Sequence, residues 1–239
     1  MSDVDLEGEN MKPIAIITAR GGSKRIPKKN IKNFLGKPII AYSIEAALKS
    51  NIFDEVMVST DSEEIAAIAK EYGASVPFMR SEATSNDYAD TSDVLLEVLD
   101  KYKEFGKDYR EFCCIYPTAP FITAKKLIES YELLRDENVY NVVPMVVFSF
   151  PPQRGLVLRE GLTQPVDLFG IEQRSQDLEE ILHDSGQFYW CKTEEFCKNG
   201  SLLYNHTKPY IVPELEVQDI DNQSDWDLAE IKYKKMIEG

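Results

Sequence analysis

Residues 14–30 read IAIITARGGSKRIPKKN. Residues 14–17 form an apolar run that is typical of a buried strand, and residues 20–30 then contain two glycines and five cations. Glycines let backbone N–H groups approach anionic oxygens closely, and cations neutralise phosphate charge. Because open α/β sheets bind ligands where their strands end, this pattern predicts a phosphate-binding loop after a first strand. A solvated basic loop is the alternative.

Apolar runs alternate with amphipathic helical patterns along most of the chain. This alternation predicts an α/β fold with a mostly parallel, nucleotide-binding (Rossmann-like) sheet and helices on both of its faces. The predicted strands are residues 14–18, 55–59, 76–79, 112–116, 139–148, 187–191 and 216–220. The predicted helices are residues 38–50, 61–72, 91–102, 123–135, 193–198 and 224–236.

Composition divides the chain into parts. The first ten residues carry four acids and no base, so a disordered extension is predicted over residues 1–11. Residues 12–239 are expected to form a single domain. Prolines and glycines interrupt residues 149–185, which predicts an inserted smaller arm with strand character. Such an arm either packs on a second copy of the chain or forms a lid within it.

The overall charge limits the partners of this chain. Its net charge is −14, although positive charge is concentrated in residues 20–32. This balance disfavours nucleic acid and anionic membranes as partners, and no window approaches the roughly 18 apolar residues that a membrane span needs. The four cysteines lack Cys-x-x-Cys spacing, so free thiols and a cytoplasmic location are expected.

The basic loop matches neither GxxxxGK[ST] nor GxGxxG, which argues against a P-loop ATPase and a dinucleotide-dependent dehydrogenase. A nucleoside triphosphate cradle of another kind remains. Arg20 is expected to fork to two phosphate oxygens, Lys24 and Lys29 to act as point charges, and Asn30 to bond a ribose or base edge. The remaining cations of this loop, Arg25 and Lys28, are expected to face solvent.

Two acidic residues near the end of the chain, Asp219 and Asp221, form a second candidate site. On an extended segment their carboxylates project to the same side while Ile220 points into the core. Two hard oxygen ligands suit Mg²⁺, which takes one or two protein carboxylates beside substrate phosphates. The alternative is that Asp221 or Asn222 caps the following helix.

Weaker candidates follow three other predicted elements. Residues 116–120, YPTAP, lie at the carboxyl edge of the predicted sheet, where their prolines alternatively only shape a turn. Arg80 is within reach of a nucleotide or forms a surface ion pair. Polar residues 183–189 precede a strand, whereas Asp61 and Glu64 match a helix-capping pattern.

These residues resemble those of the CMP-nonulosonic acid synthetases, the cytidylyltransferases that activate sialic-acid-like sugars. The resemblance covers residues 12–234, and its most specific motifs are ARGGSKRIPKKN, STDSEEI, YPTAP and QDIDN. Four further stretches resemble the pseudaminic acid branch of this family: KPIIAYSIEAALKS, CCIYPTAPF, RSQDLEE and HDSGQFYW.

The resemblance implies a role for each candidate residue. It implies that CTP is bound by Ala19, Arg20, Gly22, Ser23, Lys24, Lys29, Asn30 and Arg80. It implies that a nine-carbon sugar acid is bound by Tyr116, Arg174, Gln187, Phe188 and Tyr189, and that Mg²⁺ is held by Asp219 and Asp221. The catalytic residues would be Arg20, Lys24, Lys29, Asp219 and Asp221. It also implies a homodimer.

The implied reaction converts CTP and pseudaminic acid to CMP-pseudaminic acid and pyrophosphate. CMP-N-acetylneuraminic and CMP-legionaminic acid synthetases are the alternatives within the family. Tyr116 stands where the sialic acid branch commonly has glutamine, which disfavours N-acetylneuraminic acid. A metal-dependent glycosyltransferase is the alternative of another class, although its Asp-x-Asp motif tends to lie nearer the middle of the chain.

Overall fold

The computed structural model describes residues 11–23, 25–86 and 88–238. The predicted extension therefore falls, except for Met11, outside the described residues, and so does Lys24. Strands in chain order are β1 (Ile14–Thr18), β2 (Asn33–Phe34), β3 (Lys37–Pro38), β4 (Glu55–Ser59), β5 (Glu111–Ile115), β6 (Asn141–Val147), β7 (Leu156–Arg159), β8 (Leu162–Pro165), β9 (Leu182–Asp184), β10 (Phe188–Lys192) and β11 (Thr207–Ile211).

Helices cover much of the remaining chain. The α-helices are α1 (Ile39–Ser50), α2 (Glu63–Glu71), α3 (Glu82–Ser85), α4 (Thr91–Glu104), α5 (Ala124–Leu134), α6 (Leu168–Glu172), α7 (Thr193–Asn199) and α8 (Gln223–Glu238). Short 3₁₀ turns cover Lys29–Ile31, Pro152–Arg154, Ser175–Asp177 and Glu214–Glu216. Across the described part of the chain, no helix combines the length and apolarity that a membrane crossing requires.

A central sheet carries the fold, with its strands in the order β11-β6-β10-β5-β1-β4 and β9 paired to β6. Strand β1 pairs in parallel with β4 and β5, and β6 pairs in parallel with β11. Strand β10 runs antiparallel between β5 and β6. The carboxyl ends of β1, β4 and β5 therefore meet at one edge of the sheet.

Alternate side chains of each central strand enter two different core layers. Ala15 and Ile17 of β1 pack with α1, α2 and α5, whereas Ile14 and Ile16 pack with α4 and α7. A strand that is buried on both faces must be apolar at every position, which is why residues 14–17 have no exposed surface. The predicted mostly parallel sheet with helices on both faces is confirmed.

Helix α8 is anchored by an aromatic cluster on the α1 side. Phe34 contacts Trp226 edge-on, with ring centroids 5.5 Å apart, and Tyr42 contacts Tyr233 at 5.1 Å. Ile220, only 1% exposed, belongs to the same cluster. Burial of these side chains fixes the chain on both sides of Asp221 relative to the sheet.

Some predicted elements need correction. Residues 76–79 are not a strand, because the only ladder contact there is a bridge from Ser75 to Met57 among the residues described. Residues 216–220 also form no strand, since their backbone leaves the sheet after the Glu214–Glu216 turn. Ser62, rather than Asp61, caps α2 by accepting a hydrogen bond from the Ile65 N–H.

Residues 149–185 contain the β7–β8 hairpin, helix α6 and strand β9. The hairpin pairs only with itself in the part of the chain that the structure describes. Its apolar side chains face solvent, as do those of the adjoining helix: Leu156, Leu158, Leu162, Val166, Leu168 and Phe169. The strand character predicted for this arm is present, whereas its packing partner stays a prediction.

Candidate active site

Two cavities meet at the carboxyl edge of the sheet, and Tyr116 lines both. The first has a volume of about 560 Å³ and lies beside the basic loop. The second has a volume of about 580 Å³ and lies beside the start of β10. Asp221 lines the first cavity and Asp219 the second, so the acidic pair stands where the two cavities adjoin.

The loop after β1 is held in shape by side chains from elsewhere. The Gly21 N–H donates to Asp61 Oδ1 at 2.7 Å, and Asn30 Nδ2 donates to the Arg20 carbonyl oxygen at 2.8 Å. A Cβ at Gly21 would lie 3.1 Å from Ser62 Cβ, so glycine permits this close approach. Asn30 is buried and serves the loop's own backbone as well as lining the first cavity.

Cations of the loop converge on Asp221. Arg25 Nη2 lies 2.8 Å from Asp221 Oδ1, and Lys29 Nζ lies 3.9 Å from the same atom. Burial lowers the pKa of Lys29, while the charges of Asp221 and Asp219 oppose that shift. Arg25 is exposed, as predicted, but its contact with Asp221 was not expected from the sequence. Lys28 points outward to Glu64.

Arg80 extends from the chain after β4 into the wall of the first cavity. Its Nη2 donates to the Ser59 carbonyl oxygen at 2.7 Å, and its Nε donates to Ser59 Oγ at 3.1 Å. Burial lowers the pKa of this guanidinium, against the charges of Asp61 and Glu97. A buried cation with donors still facing the cavity is suited to bind an anion.

The electrostatics of the acidic pair favour a cation. Burial raises the pKa of Asp219, the negative charge of Asp221 raises it further, and the positive charge of Lys29 opposes this shift. Two carboxylates that repel each other fit a divalent ion. In the residues described, no cluster of three or more His, Cys, Asp or Glu side chains has metal-binding geometry. The pair therefore suits Mg²⁺ that keeps waters and phosphate oxygens as its other ligands.

Helix capping does not account for Asp221. The Asn222 Oδ1 accepts a hydrogen bond from the Asp225 N–H at 3.1 Å, and Asp225 Oδ2 accepts from the N–H groups of Asp221 and Asn222. Asn222 and Asp225 thus form the reciprocal cap of α8. The Asp221 side chain is left to face the cations of the loop.

An aromatic and acidic wall separates the two cavities. The rings of Tyr116 and Tyr189 lie 5.4 Å apart, and the Tyr189 hydroxyl donates a short hydrogen bond to Asp184 Oδ2. Burial raises the pKa of Tyr189, with Tyr116 and Asp184 adding to the shift. The hydroxyl therefore stays protonated as a donor, and Gly186 N–H fixes the other Asp184 oxygen at 2.8 Å.

The structure brings most of the predicted residues to this site. Of the predicted residues, Arg20, Ser23, Lys29, Asn30, Arg80 and Asp221 line the first cavity, Tyr189 and Asp219 line the second, and Tyr116 lines both. Ala19 is buried and its N–H donates to the Ser59 carbonyl oxygen. Ala19 and Gly22 are adjacent to the described cavity wall rather than part of it.

Three residues of the predicted sugar pocket do not reach either cavity as described. Phe188 is fully buried in the opposite core layer, because adjacent residues of a strand face opposite ways. Gln187 is buried and donates to the Glu216 carbonyl oxygen at 2.8 Å. Arg174 is exposed on the arm. The roles of these three residues in binding the sugar acid stay predictions.

Sequence reasoning missed several residues of the cavity walls. Lys232 of α8 lines the second cavity and donates to the Val217 carbonyl oxygen at 2.7 Å. His183, which belongs to the weaker candidates at residues 183–189, lines the same cavity. Asp90 and Thr91, at the start of α4, line the first. The capping box formed by Asp90 and Asp93 was the one available signal, because it marks a helix start near the sheet edge.

Comparisons with known proteins agree with this geometry. The sequence profile of the family described as "Cytidylyltransferase" matches residues 14–220. The chain is 40% identical to a pseudaminic acid cytidylyltransferase of Campylobacter jejuni, over 94% of this chain and 97% of that protein. It is 34% identical to a CMP-N,N'-diacetyllegionaminic acid synthase of Legionella pneumophila, over 92% and 95% of the two chains.

The fold is shared with a solved structure as well. A CMP:2-keto-3-deoxy-manno-octonic acid synthetase complexed with CTP superimposes with a TM-score of 0.68 and 18% identity, over 95% of this chain and all of that one. The family profile covers the basic loop, Arg80, Tyr116 and Asp219 together. The chain therefore belongs to the cytidylyltransferase family.

Proposed function

We propose that this enzyme transfers CMP from CTP to pseudaminic acid and releases pyrophosphate. The observation that carries the proposal is the meeting of two cavities at Tyr116, with Asp221 on the side of the cationic loop and Asp219 on the other side. Such an arrangement fits two substrates, one in each cavity, that react where the two cavities meet. Identity of 40% over nearly the whole length of a relative with this name supports the choice of sugar acid.

The first cavity is proposed to bind CTP. Arg20, Lys29 and Arg80 supply positive charge for the triphosphate, and Ser23 and Asn30 lie beside them. Lys24 is assigned to the same role from its place in the loop sequence, and Ala19 and Gly22 from their place at its start. Preorganised cations stabilise the charge that develops on phosphate oxygens during displacement at the α-phosphorus.

Asp219 and Asp221 are the residues that would hold Mg²⁺. Their oxygens, their mutual repulsion and the neighbouring phosphate cavity support this assignment. When bound, the ion supplies Lewis-acid stabilisation of phosphate charge. The side chains of Lys29 and Arg25 hold Asp221 in place at the cavity boundary.

The second cavity is proposed to bind the sugar acid so that its anomeric hydroxyl faces the α-phosphorus of CTP. Tyr116 and Tyr189 form the wall toward the nucleotide. The bond between the anomeric oxygen and phosphorus forms as the bond to pyrophosphate breaks, and the hydroxyl proton leaves to a base. Gln187 and Phe188 support this wall from the core rather than from the pocket.

We also propose that two copies assemble through the arm of residues 149–185 in the cytoplasm. The exposed apolar side chains of the arm support an interface, and four free cysteines support a reducing compartment. Arg174 lies on this arm and lines neither described cavity, so its proposed role in binding the sugar acid is assigned to the assembled form. Light scattering tests the assembly: Leu158→Glu is expected to give monomers, while Lys125→Glu outside the arm is expected to leave the dimer intact.

Pyrophosphate release tests the reaction directly. With CTP and Mg²⁺, pseudaminic acid is expected to give the highest kcat/KM in a panel that includes legionaminic and N-acetylneuraminic acids. Faster pyrophosphate release with legionaminic acid would show that the enzyme is a CMP-legionaminic acid synthetase instead. CTP binding without release from any member of the panel would overturn the proposed reaction.

A further inference from the structure

The segment of residues 214–222 carries the acidic pair without belonging to any strand. Its carbonyl oxygens accept hydrogen bonds from side chains instead of from a neighbouring strand. Gln187 Nε2 donates to the Glu216 carbonyl oxygen, Lys232 Nζ donates to that of Val217, and Lys29 Nζ donates to that of Ile220. The position of this segment therefore depends on individual hydrogen bonds from side chains rather than on a continuous strand pairing.

An ion pair between Lys126 and Glu216 also holds this segment. Lys126, on the first turn of α5, is 7% exposed. Its Nζ lies 2.5 Å from Glu216 Oε2 and also donates to the Phe121 carbonyl oxygen at 2.8 Å. Burial lowers the pKa of Lys126, and Glu216 opposes that shift. The lysine is thus fixed in direction by two partners, the Phe121 carbonyl oxygen in the turn before α5 and the Glu216 carboxylate in the segment that carries the acidic pair.

Glu216 is held at both its ends. Its side chain is bound to Lys126, and its carbonyl oxygen is bound to Gln187 at the start of β10. It precedes Asp219 by three residues, while Ile220 is anchored in the aromatic cluster. Asp219 therefore lies between two fixed points, and Lys126 and Glu216 together form the first of them.

We propose that Lys126 and Glu216 are positioning residues for the acidic pair, because the ion pair between buried Lys126 and half-buried Glu216 fixes the segment that carries Asp219 and Asp221. Neither side chain lines either of the two cavities described above, so both act through the segment rather than by touching a substrate. This inference rests on the metal-binding role proposed above for the two aspartates.

Three variants separate positioning from general stability. Lys126→Met removes the charge and preserves the length of the side chain. Glu216→Gln keeps the shape of the side chain and the hydrogen bond from Gln187 to the backbone carbonyl of residue 216, but it removes the negative charge. The double variant Lys126→Met/Glu216→Gln leaves no unpaired buried charge. Lys107→Met is the matched control, since Lys107 pairs with Asp54 and Glu55 near the opposite edge of the sheet.

The main readout is Mn²⁺ affinity in the presence of CTP, measured by electron paramagnetic resonance without the sugar acid. Lys126→Met is expected to weaken Mn²⁺ binding about tenfold, the order found when partners of metal ligands are removed. CTP affinity in EDTA is expected to stay within about twofold, because the basic loop is unchanged. The Lys107→Met control is expected to leave both affinities unchanged.

The double variant gives the decisive comparison with thermal unfolding. Its melting temperature is expected to exceed that of Lys126→Met, because no half-buried carboxylate is left without its partner, whereas its Mn²⁺ affinity is expected to stay low. Recovery of Mn²⁺ affinity along with the melting temperature would overturn the positioning role, as would wild-type affinity in all three variants. If Lys126→Met does not fold, Glu216→Gln provides the same comparison.

These measurements do not depend on the proposed reaction. A wild-type protein that binds CTP and Mn²⁺ but releases no pyrophosphate would overturn the proposed function, and the Mn²⁺ series would still decide the positioning role. A wild-type protein that does not bind Mn²⁺ would overturn the positioning role together with the proposed metal site.

Discussion

Lys29 Nζ donates a 2.6 Å hydrogen bond to the carbonyl oxygen of Ile220, a residue 191 positions away in the chain. This bond joins the basic loop after β1 to the acidic segment before α8. It keeps a cation 3.9 Å from Asp221 at the wall of the nucleotide cavity. The phosphate-binding and metal-binding candidates are therefore parts of one site.

Lys29→Met removes both the charge and this connection. We expect kcat to fall about 100-fold, by analogy with loss of one preorganised donor to a developing oxyanion. The matched control is Lys28→Met, since Lys28 is exposed and pairs with Glu64 away from the cavity. Steady-state kinetics with CTP make the comparison, and equal activity of the two variants would contradict the role of Lys29.

Asp221→Asn keeps the shape of the side chain while it removes the charge that faces Arg25 and Lys29. We expect turnover to fall at least about 100-fold and the far-ultraviolet circular dichroism spectrum to stay unchanged. Asp227→Asn is the control, because Asp227 lies on the exposed side of α8 with Gln223 as its partner. A near-normal rate for Asp221→Asn would remove the proposed metal site.

Tyr116→Gln tests the boundary between the two cavities. The substitution places a shorter amide where the ring now packs against Tyr189. We expect the ratio of kcat/KM for pseudaminic acid to that for N-acetylneuraminic acid to fall, because the wall of the sugar cavity changes. CTP affinity, measured by calorimetry without sugar, is expected to stay near the wild-type value. An unchanged ratio would count against Tyr116 as a sugar contact.

Tyr109→Phe tests a hydrogen bond at the opposite edge of the sheet. The Tyr109 hydroxyl donates to Asp54 Oδ2 at 2.7 Å, and this bond lowers the pKa of Asp54, with Lys107 contributing. A carboxyl group whose pKa is lower in the folded protein stabilises the fold at any pH above its ordinary, unfolded-state pKa. That stabilisation is lost as the pH falls through the lower pKa of the folded protein. We expect Tyr109→Phe to reduce the unfolding free energy by about 1 kcal/mol at pH 7.

The difference between wild type and Tyr109→Phe is expected to shrink as pH falls below about 4, the ordinary pKa of aspartate. Urea unfolding at several pH values measures it. Tyr88→Phe is the control, since Tyr88 is 97% exposed and should not change stability at any pH. A difference that stays constant with pH would contradict the assignment to Asp54.

Buried central strands could be predicted closely from the sequence. Strand β1, and β4 at the end of the sheet, have the predicted bounds because each contains a buried apolar run whose side chains enter two core layers. Strand β11 could not be predicted in the same way. It lies at the edge of the sheet, pairs only with β6 among the described strands, and contains Pro209 with mostly half-buried neighbours.

The error at residues 216–220 has a different cause. Val217 and Ile220 are buried like residues of a strand, so the apolar pattern suits an extended chain. The carbonyl oxygens of this segment, however, are bound by side chains of Gln187, Lys232 and Lys29. Such contacts join residues far apart in the chain, and no local pattern encodes them.

The candidate site was predictable in its outline, because loops after parallel strands must meet at one edge. Its details depend on backbone conformation. The bond from Gly21 to Asp61 and the pair of Arg25 with Asp221 follow from how the loop turns. Alternation of strand side chains turns Phe188 away from the face of Tyr189, and Gln187 bonds the Glu216 carbonyl oxygen, so of residues 187–189 only Tyr189 lines a described cavity.

Strand β10 runs opposite to its two neighbours, so its amino-terminal end lies at the edge where the other strands finish. The arm of residues 149–185 joins the sheet at that same end. Changes of length or sequence in the arm can therefore remodel the acceptor side while the loops after β1 and β4 keep their geometry. The reversal of β10 thus lets the acceptor side be built by a segment separate from the loops that form the nucleotide side.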